Sequence, residues 1–126
     1  MIKILLVDDQ RTIRQALRMR LALEPDITVI GEAGNGAEAL DKVSLLHPDV
    51  IVMDVMMPRM DGMSCTTALR AIAPEAVVVI LTLHDSPTIR ARAAEVGASA
   101  FLGKHDAPEL LPDAIRQAAV GAGAAG

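Results

Sequence analysis

Three aspartates, a threonine and a lysine each come at the end of a short apolar run of the sequence. Asp8 and Asp9 follow the first run, and Asp54 follows the third. Thr82 and Lys104 follow the fourth and the fifth. Parallel strands bind ligands beyond their carboxyl ends. If the runs are parallel strands, these five polar residues lie at one edge of a sheet.

Such a cluster predicts chemistry on a phosphoryl group. Carboxylates brought together repel one another unless a cation lies between them, and an all-oxygen cluster suits Mg²⁺. The Lys104 ammonium can meet a phosphoryl oxygen as a point charge, and the Thr82 hydroxyl can donate to a second oxygen. One carboxylate then remains as a nucleophile.

Asp54 is the predicted nucleophile. Asp8 and Asp9 are adjacent, so their side chains start on opposite faces of a strand. Asp54 follows the central apolar run and precedes a loop, so we expect it to face the cation with free approach from solvent. Phosphorylation is therefore expected at Asp54.

The elements that must position these residues are five strands alternating with five helices. The expected strands are Ile2–Val7, Ile27–Ile30, Val50–Met53, Val77–Leu81 and Ala100–Leu102. They are short and rich in β-branched residues, which is typical of strands buried on both faces. Alternation with helices predicts an α/β fold, a doubly wound parallel sheet with helices on both faces.

The segments between the runs show helical spacing. In the first, Ile13, Leu17 and Leu21 share a face, while Arg11 and Arg14 take the wetter side. The second and third helices are expected at Ala37–Leu46 and Ser64–Ile72, and the fourth lies between a Ser86 cap and Gly97.

The last helix carries Pro108 and Pro112, four residues apart. A helix begun at Pro108 lacks an amide donor at Pro112, at a cost of roughly 3 kcal/mol. The sequence therefore predicts a kink at Pro112, or a helix that starts in earnest only there. Its expected end near Val120 makes residues 1–120 one domain, and 121–126 a flexible tail or the start of a linker.

Bulk composition excludes several classes of protein. The chain has 126 residues, 52% of them apolar, which fits one ordinary domain with a real core. A net charge of -4 argues against general affinity for nucleic acid or anionic membrane. The opening MIKILLVDD is neither a signal peptide nor a membrane span. Cys65 is the single cysteine and cannot form an internal disulfide, so a reducing, cytoplasmic location is expected, and Cys65 is interpreted as an inert packed thiol.

Four motifs in order resemble the CheY-like receiver domain of bacterial response regulators. They are VDD at 7–9, HPDVIVMDVMMPRMDG at 47–62, ILT at 80–82 and FLGK at 101–104. The likeness covers residues 2–120. The stretch EPDITVIGEAGNGAEAL at 24–40, and a lysine not followed by proline, are most similar to the NarL/FixJ (LuxR-type) branch. The resemblance implies a flavodoxin-like sheet with strand order 2-1-3-4-5.

The resemblance also implies roles for the acidic residues. The aspartate at the Asp54 position accepts phosphate from a partner histidine kinase. Asp9 and Asp54 would hold Mg²⁺ directly, together with the backbone carbonyl of Met56. Asp8 would act through water.

A switch is implied as well. Thr82 and Lys104 would contact the phosphoryl group, and the aromatic ring at the Phe101 position would turn inward, remodelling the surface of the fourth helix, fifth strand and fifth helix. Plain core packing is an equally open reading of Phe101, since its ring has no hydroxyl.

Several positions depart from the common pattern of the family. The resemblance implies that Met56 and His84 flank the approach of water to the phosphoryl group, so an unusual phosphoryl lifetime is expected, without a direction. Leu83 stands where a small residue is common. His105 replaces a frequent proline, so a trans bond is expected before it.

The LuxR-type likeness implies the N-terminal part of a transcriptional regulator that binds DNA only through a C-terminal domain absent from these residues. The expected partners are a sensor histidine kinase and a second copy in a phosphorylation-dependent homodimer, with no membrane. Enzyme activity beyond self-phosphorylation and autodephosphorylation is not expected. Two alternatives remain: a phosphorylation-independent interaction module, and a dehalogenase-type phosphatase, which normally has DxD where this chain has contiguous Asp8 and Asp9.

Overall fold

A computed structural model describes residues 1–55, 61–83, 86–105 and 107–125, with the side chains of 107, 108 and 122–125 left out. Within these ranges five strands alternate with five helices. The strands are β1 (Ile2–Val7), β2 (Ile27–Ala33), β3 (Val50–Asp54), β4 (Val77–Thr82) and β5 (Ala100–Gly103). The helices are α1 (Arg11–Leu21), α2 (Gly36–Leu46), α3 (Gly62–Ile72), α4 (Pro87–Glu95) and α5 (Ala107–Ala125).

All five strands are parallel and lie in the order β2-β1-β3-β4-β5. The α/β class and the strand order predicted above are confirmed. Every residue of β3 and β4 is buried, as expected for continuous apolar runs covered on both faces.

Alternating side chains of the sheet feed two separate cores. Ile51 and Met53 lie in a core with residues of α2, α3 and α4. Val50 and Val52 lie in the other core, with residues of α1 and α5. This alternation fixes the register of the central strand, because a slip of one residue would exchange the two faces.

The helices that frame the functional edge begin with side-chain caps. Asp61 accepts a hydrogen bond from the Ser64 amide at 2.8 Å, and Ser86 accepts one from the Ile89 amide at 3.1 Å. Gly97 follows α4 with φ of 96°, a conformation that favours glycine. The Ser86 and Gly97 boundaries agree with the sequence prediction.

Helix α5 differs from the prediction at both ends. Its backbone is helical from Ala107 with Pro112 inside, so a start only at Pro112 is wrong. The adjoining Leu111 and Ile115 are fully buried, and their packing offsets the missing hydrogen bond. The helix also continues past Val120 to Ala125. A kink at Pro112, and a tail at 121–126, stay predictions.

No helix in the described ranges combines the length and the apolar character needed to cross a bilayer.

Candidate functional site

The three aspartates singled out from the sequence converge at the carboxyl edge of the sheet. In the β1–β3 pair Val7 lies opposite Met53, so the residues that follow them come side by side. Carboxylate oxygens of Asp8, Asp9 and Asp54 all lie within 4.8 Å of one another. Adjacent central strands thus bring together acids that are far apart in the chain.

Lys104 lies against this cluster. Its Nζ is 2.9 Å from Asp8 Oδ2 and 3.2 Å from Asp54 Oδ1, and its side chain is 10% exposed. Burial alone would lower the pKa of Lys104, but the hydrogen bond to Asp8 and the charge of Asp54 outweigh burial and raise the pKa. Lys104 is therefore a fixed ammonium at neutral pH.

The two inner carboxylates are covered, whereas the third is not. Asp54 is 3% exposed and Asp8 is 2% exposed, while Asp9 is exposed and marks the solvent side of the cluster. The expectation that Asp54 has free approach from solvent is wrong for this structure. The Lys104 ammonium lies against the Asp54 carboxylate, and the start of α3 lies against the Asp54 backbone carbonyl.

Helix α3 packs against the Asp54 backbone at Gly62, a residue that was not among the predicted site residues. A Cβ added at Gly62 would lie 2.2 Å from the Asp54 carbonyl oxygen, and the Gly62 amide donates to the Val55 carbonyl at 2.9 Å. The signal in the sequence for this contact is the Asp61-Gly62 pair, which comes a few residues after the predicted nucleophile Asp54. Taken without the preceding strand, an Asp-Gly pair predicts only a turn.

Asp8 is held at both carboxylate oxygens. Oδ1 accepts from the Gln10 amide at 2.9 Å, and Oδ2 accepts from Lys104. Its backbone carbonyl accepts from Arg14 Nη1 at 2.6 Å. The helical pattern of the sequence predicts Arg14 on the wetter side of α1. It is in fact only 17% exposed, because Glu32, 18 residues away on β2, pairs with it.

Thr82 ends β4 at the same edge. Leu81 pairs with Asp54 and Thr82 pairs with Gly103, so Thr82 sits between the acidic cluster and the start of the Lys104 loop. It is 1% exposed, and its carbonyl accepts from the Lys104 amide at 2.7 Å.

Phe101 lies further back on β5, half-buried against the core that includes α3 and α4. The guanidinium of Arg90 on α4 stands 4.6 Å from the centre of its ring, within cation–π range. Phe101 is therefore in contact with both the core and a surface cation.

The remaining predicted positions lie outside the cluster of acids and Lys104 or outside the described residues. Met56 and His84 lie outside the described residues, and with them the predicted carbonyl ligand and lifetime tuning. Leu83 is 54% exposed, and the Lys104–His105 bond is trans, as expected. Cys65 is fully buried, which raises the pKa of its thiol to about 11 and fits an inert packed residue.

The donor set fits a hard divalent cation. Three carboxylates and one ammonium leave an excess of negative charge in a mostly buried place, and oxygen ligands are those that Mg²⁺ prefers. Asp8, Asp9 and Asp54 are the side chains able to hold such an ion.

Known proteins share this arrangement of fold and sequence. Residues 4–116 match the family "Response regulator receiver domain". The transcriptional regulatory protein YxjL of Bacillus subtilis is 38% identical over 120 residues, which covers 95% of this chain and 55% of that protein. A protein-glutamate methylesterase/protein-glutamine glutaminase of Methanosarcina mazei is 41% identical, covering 92% of this chain and 35% of that protein. The chain thus spans about half or less of these relatives.

Solved structures agree. The signal receiver domain of the response regulator NarL from Mycobacterium tuberculosis superposes with a TM-score of 0.90 at 32% identity, covering 95% of this chain and 97% of that one. A LuxR-family response regulator from Aurantimonas gives a TM-score of 0.90 at 31% identity, covering 94% and 85%. The NarL-type and LuxR-type resemblance is confirmed, and the chain belongs to the response-regulator receiver family.

Proposed function

We propose that this receiver is a phospho-acceptor switch in which a histidine kinase transfers a phosphoryl group to Asp54. The observation that carries the proposal is the buried Lys104 ammonium, 3.2 Å from Asp54 and 2.9 Å from Asp8, beside three clustered carboxylates. These acids are largely buried and outnumber the ammonium, so a bound cation would offset charge that solvent cannot reach. The excess of acids is what a cation-assisted transfer requires.

In the proposed transfer an Asp54 carboxylate oxygen forms a bond to phosphorus while the phosphorus–nitrogen bond of a phosphohistidine breaks. The bonding electron pair returns to the imidazole, which leaves as neutral histidine because its other ring nitrogen carries a proton. Mg²⁺, when bound by Asp8, Asp9 and Asp54, supplies positive charge that offsets the repulsion between the carboxylates and the incoming phosphoryl oxygens.

Lys104 must change partners in this reaction. Phosphorylation removes the negative charge of the Asp54 carboxylate that Lys104 now contacts, so its ammonium is drawn to a phosphoryl oxygen instead. Because Asp54 is 3% exposed, the donor can reach it only when side chains around it shift, and movement of Lys104 away from Asp54 is one such shift.

Thr82 and Phe101 are the proposed route to the output surface. Thr82 lies at the same edge as Asp54, so its hydroxyl can turn towards a new phosphoryl oxygen. Space vacated by that turn would admit the Phe101 ring, which must then leave Arg90. Differential contact of the phosphoryl group with the two arrangements supplies the energy of the switch.

For the output we propose a LuxR-type transcriptional regulator, with DNA bound by a further domain and with dimerisation controlled by phosphorylation. Support comes from YxjL and from the nitrate/nitrite response regulator NarP of Escherichia coli, 37% identical, each of which this chain spans over 55% of its length. A cytoplasmic location follows from the kinase partner.

The methylesterase relatives favour a second setting for the same switch. They match this chain over about a third of their own length, so the receiver would regulate an attached esterase without being the esterase itself. A phosphorylation-independent module is less well supported, because such a module has no use for the buried Lys104 and Asp54 pair.

Intact-mass measurement after incubation with acetyl phosphate and Mg²⁺ tests the proposal. The wild type should gain one phosphoryl group, Asp54→Asn should gain none, and chelation of Mg²⁺ should prevent the gain. Asp41→Asn, at an exposed position of α2, is the matched control and should behave as wild type. Absence of an adduct in the wild type would contradict the proposal and favour the phosphorylation-independent interaction module. Rapid turnover of many phosphomonoesters would mean a phosphatase.

A further inference from the structure

We propose that Arg14 is a positioning residue of the cation site, acting through the peptide unit that carries Asp8 and Asp9. The inference rests on the proposed function, because it assumes that these acids bind Mg²⁺. Arg14 itself touches neither carboxylate of the pair among the described contacts.

The geometry of Arg14 is that of a fork between two elements. Nη1 donates to the Asp8 carbonyl at 2.6 Å, and Nε donates to Glu32 Oε1 at 3.0 Å. A guanidinium is planar and presents its donors at fixed angles, so binding at both ends fixes where the Asp8 carbonyl lies relative to β2.

That carbonyl belongs to the peptide unit joining Asp8 to Asp9. A peptide unit is planar, so holding its oxygen also fixes the direction in which the Asp9 backbone leaves. The Asp8 amide is already held by the Ala33 carbonyl at 3.1 Å, and the Asp8 carboxylate is held at both oxygens. Asp9 is exposed, and the orientation of its carboxylate depends on this peptide unit.

Arg18 is a built-in control. It contacts the same carboxylate, with Nη2 2.9 Å from Glu32 Oε2, yet its side chain is 46% exposed. In the described part of the chain Glu32 is its acidic partner, and it makes no contact with Asp8. Removing Arg18 therefore takes away one guanidinium from Glu32 and leaves the Asp8 carbonyl bond in place.

Charge and positioning predict opposite signs for Arg14. By charge alone, removal of a cation near the acidic cluster strengthens Mg²⁺ binding. By positioning, removal weakens binding, because Asp9 loses the orientation that the held Asp8 carbonyl gives it. The direction of the change therefore separates the two effects.

The experiment is calorimetric titration of MgCl₂ into the 126-residue wild type, Arg14→Ala and Arg18→Ala. Arg14→Ala should bind Mg²⁺ about tenfold more weakly, the low end for loss of a residue that orients a metal ligand. Arg18→Ala should bind as tightly as wild type or slightly more tightly. At saturating Mg²⁺ the acetyl phosphate reaction of Arg14→Ala should recover the wild-type rate, which a general folding defect would not allow.

Equal or tighter Mg²⁺ binding by Arg14→Ala overturns the inference and leaves the proposed function intact. Equal weakening in Arg18→Ala overturns it too, because the effect would then belong to Glu32. A wild type that binds no Mg²⁺ overturns the proposed function itself. If thermal melting shows Arg14→Ala unfolded, Arg14→Gln is decided by the same sign, because its shorter side chain keeps a donor at the level of Nε and loses both the charge and the Nη1 donor to Asp8.

Discussion

Two clusters of this protein have the same inventory, one long cation against three carboxylates, at opposite edges of the sheet. At the carboxyl edge Lys104 meets Asp8 and Asp54, with Asp9 beside them. At the amino edge one arginine of α5 contacts three acids. These contacts are Arg116 Nε to Asp26 at 2.8 Å, Nη2 to Glu24 at 3.0 Å and Nη1 to Asp113 at 3.0 Å.

The difference between the clusters lies in geometry and exposure. Arg116 spreads its planar donors over separate acids on the surface, and two of them bind both oxygens of Asp26. Each of these acidic side chains remains partly exposed to solvent. Lys104 is a point charge among largely buried acids, so it cannot satisfy them all. The Arg116 cluster joins α5 to the loop before β2. The Lys104 cluster keeps an excess of negative charge that a bound cation can offset.

The largest expected effect comes from removing each cation in turn. Lys104→Ala should slow phosphorylation by acetyl phosphate about a hundredfold or more, because a preorganised charge at the reacting oxygens is lost. Arg116→Ala should keep the rate within about twofold, since distant sites act independently. Stopped reactions analysed by intact mass measure both. Comparable rates for the two variants would remove the functional distinction between the clusters.

A smaller effect separates the backbone packing at the two edges. Gly62→Ala places a Cβ 2.2 Å from the Asp54 carbonyl oxygen, so α3 must move away from the nucleophile. Overpacking of this kind costs roughly 1–3 kcal/mol of unfolding free energy. Gly121→Ala on α5 meets nothing within 4 Å and should be neutral or slightly stabilising. Urea unfolding followed by far-ultraviolet circular dichroism compares them. Equal midpoints would show that α3 yields freely.

The convergence of acids was readable from the sequence because it follows from local pattern. Asp8 and Asp54 end apolar runs long enough to be central strands, and parallel strands share one carboxyl edge. Lys104 ends the fifth run in the same way. The strand order needed the family resemblance, since alternation alone does not order five strands.

The cover over Asp54 and the fork at Arg14 were not readable. The close approach of Gly62 to the Asp54 backbone carbonyl is a contact between α3 and β3, which no periodicity of the sequence records. Arg14 is drawn inward by Glu32 from another strand, and a helical pattern assigns it to solvent. Both depend on tertiary distances between elements, not on the elements themselves.

Metal binding sharpens the contrast at the level of single acids. Asp9→Asn removes one of three mutually repelling charges, so without metal the variant should melt at the same temperature as wild type or higher. With Mg²⁺ the order should reverse, because a cation at a hundredfold excess over its dissociation constant stabilises a folded protein by about 2.7 kcal/mol. Thermal melting with Mg²⁺ and with chelator tests this. An Mg²⁺-induced rise equal to wild type would exclude Asp9 as a ligand.

The smallest effect belongs to the exposed cluster and depends on pH. The hydrogen bond from Arg116 holds the pKa of Asp26 below its ordinary value of 3.8, despite a small opposing effect of burial. A folded-state pKa below the unfolded one gives stability that is present above pH 3.8 and is lost as pH falls through the folded value. Asp26→Asn should therefore lower the urea midpoint slightly at pH 6, and the gap from wild type should close in strong acid. Since the pair is solvated, 0.5 M NaCl should also narrow the gap. A gap that is constant with pH and salt would mean that the effect of the substitution does not come from the charge of Asp26.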